Sequence, residues 1–451
     1  LPVASIVGVG GWGPQDSDWL KHNSILRDLI NAPWPVIYEV NGHKAMLTYY
    51  IAYQLPAAFV GKMWGWEAAN HALFLYTLGG FFLSALWVWL LTGARYWWII
   101  LVFLFFSGMD IVGFAISAVF LEPTLADAAR FLAEKFSNFY HIEWWSGWGF
   151  AQFSSMSSLM VWVPNQGVSG WLLTAMLLTN SRLKSLHIVG AFLLGSSALW
   201  APFVTLGLLP FVLALTTYGW QQQGFRTEYV RQCMSVSNTV GILLALLVIL
   251  YLSGRFQAFT MPIDIGNLYQ EDVTLTFLRL PKLFLIRYFL FIMLEFAVLH
   301  VLLYAYLRIA QKESLTYWRN LLMISTSILL VLPILNWGWN NEPAMRTSIP
   351  ALFITALVTV IVLTDRVPDV RAKWIRRMIA SLLCVGSLTA LVEFGRHAQG
   401  IYDRGAVVRV PAEGEVQTLF ELQEQRYKEY YSFIGQYLGS AESQFVEYLG
   451  K

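Results

Sequence analysis

Charge is scarce in this chain. Asp, Glu, Lys and Arg make up 13% of its 451 residues, about half the roughly 25% that a soluble domain carries. So little charge cannot clothe a globular surface in solvated side chains, which excludes an ordinary water-soluble enzyme. Cysteine is nearly missing as well, with only Cys233 and Cys384. By the topology below, one falls in a cytoplasmic loop and the other in a membrane span. Neither a disulfide framework nor a zinc site is therefore expected. The chain has no Walker A loop, no dinucleotide fingerprint and no nucleophile elbow. Without a P-loop an ATP-driven pump is disfavoured. The formal net charge is +2, and no nucleic-acid partner is expected.

What the chain has in abundance is apolar surface. Hydrophobic residues make up 57% of it, and the mean hydropathy is +0.54. Long apolar runs occur near 70–93, 96–121, 157–179, 186–200, 202–219, 237–254, 284–307, 320–335, 347–364 and 377–393. Most are long enough to cross a bilayer. Residues 1–10 are apolar but only half a span long. They read either as the end of a first transmembrane helix or as the remnant of a cleaved signal peptide. The expected fold is an all-α polytopic membrane protein with about ten or eleven spans. Residues 1–393 form the membrane module, and 394–451 an outward tail. An amphipathic helix is expected in that tail over 415–437, with Leu419, Phe420, Leu422, Tyr427, Tyr430 and Phe433 at helical spacing. Segment 45–60 holds Tyr49, Tyr50, Tyr53 and Gln54 and reaches Pro56, which reads as an interfacial or re-entrant helix. No internal repeat is found.

Basic residues set the orientation. Arg95, Arg182, Lys184, Arg226, Arg231, Arg308, Lys312, Arg319, Arg366, Arg371, Lys373, Arg376 and Arg377 crowd into one alternating set of short loops. The other set spreads its positive charge over several times the length. The first set is expected in the cytoplasm, so 11–66, 122–156, 255–283, 336–346 and the tail face outward. Tryptophans gather in the outward segments: Trp12, Trp19, Trp34, Trp64, Trp66, Trp144, Trp145, Trp148, Trp337 and Trp339. They suit an interfacial belt, or flat faces for a sugar or lipid.

Three polar stretches interrupt this pattern. In the first outward loop, Asp16, Ser17 and Asp18 open a short amphipathic helix that would lie on the membrane and stop near Pro33. The acids either cap that helix or supply a general base at the bilayer surface. Lys21 and His22, one turn on, could bind phosphate or tune the carboxylate. The second stretch sets Pro164, Asn165, Gln166 and Gly167 inside an apolar run. It reads as a proline kink, or as a break lining a cavity, where a helix restarting at Pro164 would offer backbone N–H groups. The third runs from Asn336 through Asn341, Glu342 and Pro343 to Arg346, whose guanidinium suits a phosphate or anchors the helix. Arg279, Lys282 and Arg287 offer the same choice at another outer mouth. Inside spans, Asp110, Glu295 and His300 are costly and mark functional or structural polar contacts. His141 and Glu143 add a further outward pair.

The run from Asp18 to Asp28, the stretch Trp162-Val163-Pro164-Asn165-Gln166 and the stretch Asn341-Glu342-Pro343-Ala344-Met345-Arg346, with long outward loops between spans, resemble the GT-C superfamily of membrane glycosyltransferases, in a bacterial-type form. The resemblance implies sugar transfer from a polyprenyl-phosphate carrier to a glycan or lipid acceptor on the outer face of a bacterial inner membrane, as in cell-envelope polysaccharide biosynthesis. It implies a catalytic acid in the first outward loop, Asp18 in preference to Asp16. Lys21, His22, Arg346, Asn165, Gln166, Glu342 and Arg279 would contact substrate or phosphate. A divalent cation is compatible with the pattern, and envelope-complex subunits are conceivable partners. Two other classes stay open: a transporter or flippase for lipid-linked glycans, and a non-catalytic subunit of a polysaccharide export complex.

Overall fold

The computed structural model describes residues 4–40, 43–93, 95–145, 150–257, 274–275, 284–336, 341–422 and 437–449. It is mostly helical, and seven of the described helices are long and apolar enough to cross a membrane. In chain order the helices are α1 (Asp18–Asn31), α2 (Leu55–Thr92), α3 (Ile99–Leu104), α4 (Asp110–Leu121), α5 (Leu125–Ser137), α6 (Met156–Val161) and α7 (Pro164–Arg182). Then come α8 (Leu186–Ala198), α9 (Pro202–Gln222), α10 (Thr227–Cys233) and α11 (Val236–Gln257). The last are α12 (Phe284–Ala310), α13 (Glu313–Val331), α14 (Ile349–Thr364), α15 (Val370–Arg404) and α16 (Gln444–Leu449). The seven membrane-length helices are α2, α9, α11, α12, α13, α14 and α15, with α4 and α8 as shorter apolar helices.

Each of the seven holds an 18-residue apolar stretch that neighbouring protein or lipid must surround. The apolar window of the span containing α14 is 83% buried, whereas the other six windows are between 22% and 44% buried. That contrast puts α14 at the centre, against α7, α13 and α3. Its sequence from Ile349 to Thr364 contains no charged residue.

Several sequence expectations are corrected. Residues 4–11 are not the end of a membrane helix. They form two short 3-10 turns, Ala4–Ile6 and Val9–Gly11, because Gly8, Gly10 and Gly11 take positive φ and turn the chain. Trp12 then stacks on Phe74 of α2, with ring centroids 4.3 Å apart. The run 96–121 is two helices, since the backbone over 105–109 leaves helical geometry between α3 and α4. Segment 45–60 is no interfacial helix: it ends a strand, turns through Tyr49–Gln54, and only then enters α2. Nor does α1 lie on the membrane by one face, because Trp19, Lys21, His22, Asn23, Ile25, Leu26, Asp28 and Leu29, from around its circumference, are buried. Finally, α15 runs unbroken through residue 394, where the tail was expected to start.

Three strands, β1 (Ile37–Val40), β2 (His43–Leu47) and, from the far end of the chain, Leu438–Ser440, form an antiparallel sheet with β2 in the middle. A separate two-stranded pair joins β3 (Thr274–Leu275) to β4 (Leu335–Asn336), which makes Leu438–Ser440 β5. Register pairs Ile37 with Met46, and Met46 in turn with Gly439. The tail is therefore stitched to the first loop. The amphipathic helix expected over 415–437 lies largely outside the described residues, although Leu419 and Leu422 are buried.

Candidate functional site

The first turn of α1 presents its acid without a side-chain cap. Ser17 occupies the N-cap position and makes no capping hydrogen bond through its side chain. Asp18 instead pairs with Lys21, Oδ1 to Nζ 3.0 Å, one turn along the same helix. The Lys21 side chain is 4% exposed and that of Asp18 19%, so the pair sits at the edge of the interior. His22 lies beside it, its Nδ1 3.3 Å from Gln54 Nε2.

Two distant stretches converge on the same place through Tyr50. Its hydroxyl accepts a hydrogen bond from Arg346 Nη1 at 2.8 Å and another from Gln166 Nε2 at 3.0 Å. The helix does restart at Pro164, which takes the first-turn position where its missing N–H costs nothing. That break puts Asn165 and Gln166 on the buried first turn of α7. Arg346 lies in a π turn, Pro343–Thr347, just before α14, and is ion-paired to Glu342 four residues back. The tail closes the cluster. Tyr437 meets the Tyr49 ring edge-on at 4.8 Å, and Lys21 Nζ lies 5.8 Å from the Tyr437 ring centre.

Burial pushes the Asp18 carboxyl up, but Lys21, His22 and Arg346 outweigh it and hold the group below its usual range. Burial pushes His22 down, the Lys21 ammonium pushes the same way, and the imidazole falls to about 3. Burial also disfavours the Lys21 ammonium, yet Asp18 keeps it above its ordinary value. At neutral pH the cluster thus holds an ionised carboxylate, an ammonium and a neutral imidazole. Glu342 and Arg346 add a second ion pair.

Several polar atoms here are buried without a hydrogen-bond partner among the described residues: His22 Nε2, Gln54 Oε1, both amide atoms of Asn165, Gln166 Oε1 and Arg346 Nε. Orphaned polar groups are rare in native interiors, and these atoms have hydrogen-bonding capacity that their described neighbours do not use. No family model matches the chain, and neither a curated protein nor a solved structure does. Among the described residues no group of three or more His, Cys, Asp and Glu is placed to hold a metal ion.

The sequence candidates thus divide. Asp18, Lys21, His22, Gln166, Glu342 and Arg346 come together, with Asn165 adjoining Gln166. Arg279 lies outside the described residues. Asp16 points elsewhere: its carboxylate binds Arg396 Nη1 at 2.9 Å and lies 3.2 Å from His397 Nε2. Arg396 also pairs with Glu393 at 2.7 Å and lies over the Trp162 ring at 4.7 Å, while Glu393 meets His141. Asp16 therefore anchors the first loop to α15. Tyr50, Gln54 and Tyr437 went unrecognised as site residues in the sequence. Tyr50 and Gln54 carried a signal, being polar within an apolar run. Tyr437 carried none, because its place follows from the pairing of β5.

Proposed function

We propose that the chain is an integral membrane glycosyltransferase. It moves a sugar from a polyprenyl-phosphate carrier to a glycan or lipid acceptor on the extracytoplasmic face of a bacterial inner membrane. One observation carries the reading. An ionised carboxylate, two cations and several unpartnered amide and ring atoms, drawn from separate parts of a membrane-helix body, converge in one largely buried cluster. Exposed Leu20, Trp34, Phe59, Met63 and Trp64 supply apolar surface near α1 and the start of α2, suited to lipid.

In this reading Asp18 takes the proton from the acceptor hydroxyl as its oxygen attacks the anomeric carbon. The bond from that carbon to the phosphate oxygen breaks, and polyprenyl phosphate leaves as an anion stabilised by Arg346 and Lys21. Displacement in one step inverts the anomeric centre. Each cation starts paired, Lys21 with Asp18 and Arg346 with Glu342. A phosphate that draws Lys21 away frees Asp18 to act as base. Gln166, Asn165 and His22 remain to receive sugar hydroxyls.

The test is transfer from a lipid-linked sugar donor by purified Asp18→Asn protein. Activity should fall by about a thousandfold or more, in line with loss of a catalytic base, while the protein still inserts into membranes and folds, with an unfolding midpoint lowered because the buried Lys21 loses its carboxylate partner. Full activity in a folded Asp18→Asn protein removes Asp18 from the chemistry. Donor flipping in vesicles without any covalent product would favour the flippase.

A further inference from the structure

The end of the membrane body opposite the candidate site carries positive charge that sugar transfer does not use. The central helix α14 sets the separation. Arg346 lies in the turn before it and Asp365 follows its last residue, and a helix of that length spans about 24 Å. Of the twelve residues from Arg366 to Arg377, five are basic and one is acidic. That acid, Asp369, is spent on the backbone N–H groups of Arg371 and Ala372, where it caps α15. The neighbouring Asp365 is ion-paired to Lys312 and accepts from the Tyr306 hydroxyl at 3.1 Å. Arg376 turns inward and donates to Asp365 O, and Arg366 donates to the Tyr96 hydroxyl at 3.1 Å.

Arg371, Lys373 and Arg377 remain. All three are exposed, and among the described residues none of them is ion-paired. Lys373 and Arg377 stand four residues apart on α15, a spacing at which like charges destabilise a helix. Aromatic faces lie among them. Trp374 is 60% exposed, and Trp97, just before α3, is 70% exposed. The Arg377 guanidinium lies 5.3 Å from the Trp374 ring centre. The exposed face continues along α15 from Trp374 through Met378 and Leu388, on the same side of the helix. The basic patch is thus continuous with the lipid-facing surface of a membrane-length helix.

We infer that this end of the protein binds an anionic phospholipid, whose phosphate is taken by Arg371, Lys373 and Arg377 while Trp97 and Trp374 lie at the boundary between headgroup and acyl chain. Lys and Arg clustered beside a membrane helix attract anionic lipid, and indoles favour that boundary. An orientation bias in the loops needs positive charge only; here the charge is gathered within two turns, left without counterions and interleaved with exposed indoles. Continuity with the lipid-facing side of α15 decides for a lipid over a soluble acidic partner. The bound headgroup supplies the counterion that relieves the repulsion between Lys373 and Arg377.

The test uses the purified, delipidated full chain in neutral detergent micelles, titrated with phosphatidylglycerol and read by native mass spectrometry. Phosphatidylglycerol should bind saturably and phosphatidylcholine should not. The combined variant Arg371→Gln, Lys373→Gln, Arg377→Gln should bind on the order of a hundredfold more weakly. Trp374→Ala, which keeps every charge, should weaken binding severalfold. All four side chains are exposed, so these variants should fold. A control with the same loss of charge, Lys184→Gln, Arg226→Gln, Arg231→Gln, removes exposed cations from other loops and should leave the affinity nearly unchanged. Equal affinity for the two lipids overturns the inference. So does an equal loss in the control, which would mean a diffuse basic surface, or displacement of the lipid by inorganic phosphate at equal concentration, which would mean a small-anion site. Sugar transfer enters none of these measurements, so failure here leaves the transferase reading standing.

Discussion

Tyr50 has one hydroxyl and two donors aimed at it. Arg346 comes from the turn before α14 and Gln166 from the first turn of α7, and each hydrogen bond crosses between elements. Removing the oxygen leaves the Gln166 amide without this partner and Arg346 Nη1 with Glu342 alone. Tyr50→Phe should therefore lower stability by about 1.5–3 kcal/mol, the range for a hydrogen bond to a charged group, read by thermal or denaturant unfolding. In a transfer assay it should raise KM more than it lowers kcat, since the hydroxyl positions binding groups. An unchanged midpoint and unchanged KM would show that Arg346 holds its place without Tyr50. Titration offers a second handle at this scale. His141 is opposed by burial but lifted by Glu393 to about 9, and burial lifts the Glu143 carboxyl to about 7. Both pKa values are raised above those of the unfolded chain, near 6.5 and 4.5. A raised group contributes stability that is full below its unfolded pKa and lost as pH rises through its folded pKa. The unfolding midpoint should thus decline between about pH 5 and pH 9, and His141→Gln should flatten the upper half of that decline. A midpoint that climbs through this window would contradict the assignment.

The long helices were legible as elements because uninterrupted apolar sequence admits few readings, yet their interruptions were not. Residues 96–121 look like one span, and nothing in Phe105, Phe106, Ser107, Gly108 and Met109 announces that the helix stops. The break is set by tertiary partners, including the bond from Met109 N to Leu294 O. The break before Pro164 was legible, since proline punishes a helix interior and suits a first turn. α2 holds a third interruption. Gly65 sits within it at φ 86°, ψ −178°, a backbone conformation almost reserved for glycine. A Cβ at Gly65 would meet nothing within 4 Å, so a substitution there reports backbone strain alone. Gly65→Ala should cost about 1–3 kcal/mol, visible as a lower unfolding midpoint. If the midpoint holds, the bend in α2 relaxes freely and does not help place Tyr49–Gln54.

Across the whole molecule, the candidate site is a meeting of the chain's two ends around a central helix. The first loop supplies Asp18, Lys21 and His22, the turn before α14 supplies Glu342 and Arg346, and the tail supplies Tyr437. Sequence could name the first two groups by their chemistry. It could not bring in the third, because a three-residue strand carries no pattern of its own and gains its position only by pairing with β2. That sheet leans on α11, where the Tyr251 hydroxyl donates to Leu47 O at 2.6 Å and a Cβ on Gly439 would collide with the backbone of Gly254. A chain ending at residue 436 separates insertion from site assembly. All seven membrane-length helices precede residue 405, so the shortened protein should still fractionate with membranes. It would lose the backbone hydrogen bonds of β5, at about 0.5–1.5 kcal/mol each, together with the aromatic ring beside Lys21. Sugar transfer should fall about tenfold or more while the rest unfolds only slightly earlier, the pattern expected when binding groups lose their positioning. Wild-type transfer by the shortened chain would instead mean that Tyr437 merely packs beside Lys21 and Tyr49, leaving α1, α7 and the turn before α14 to do the chemistry without it.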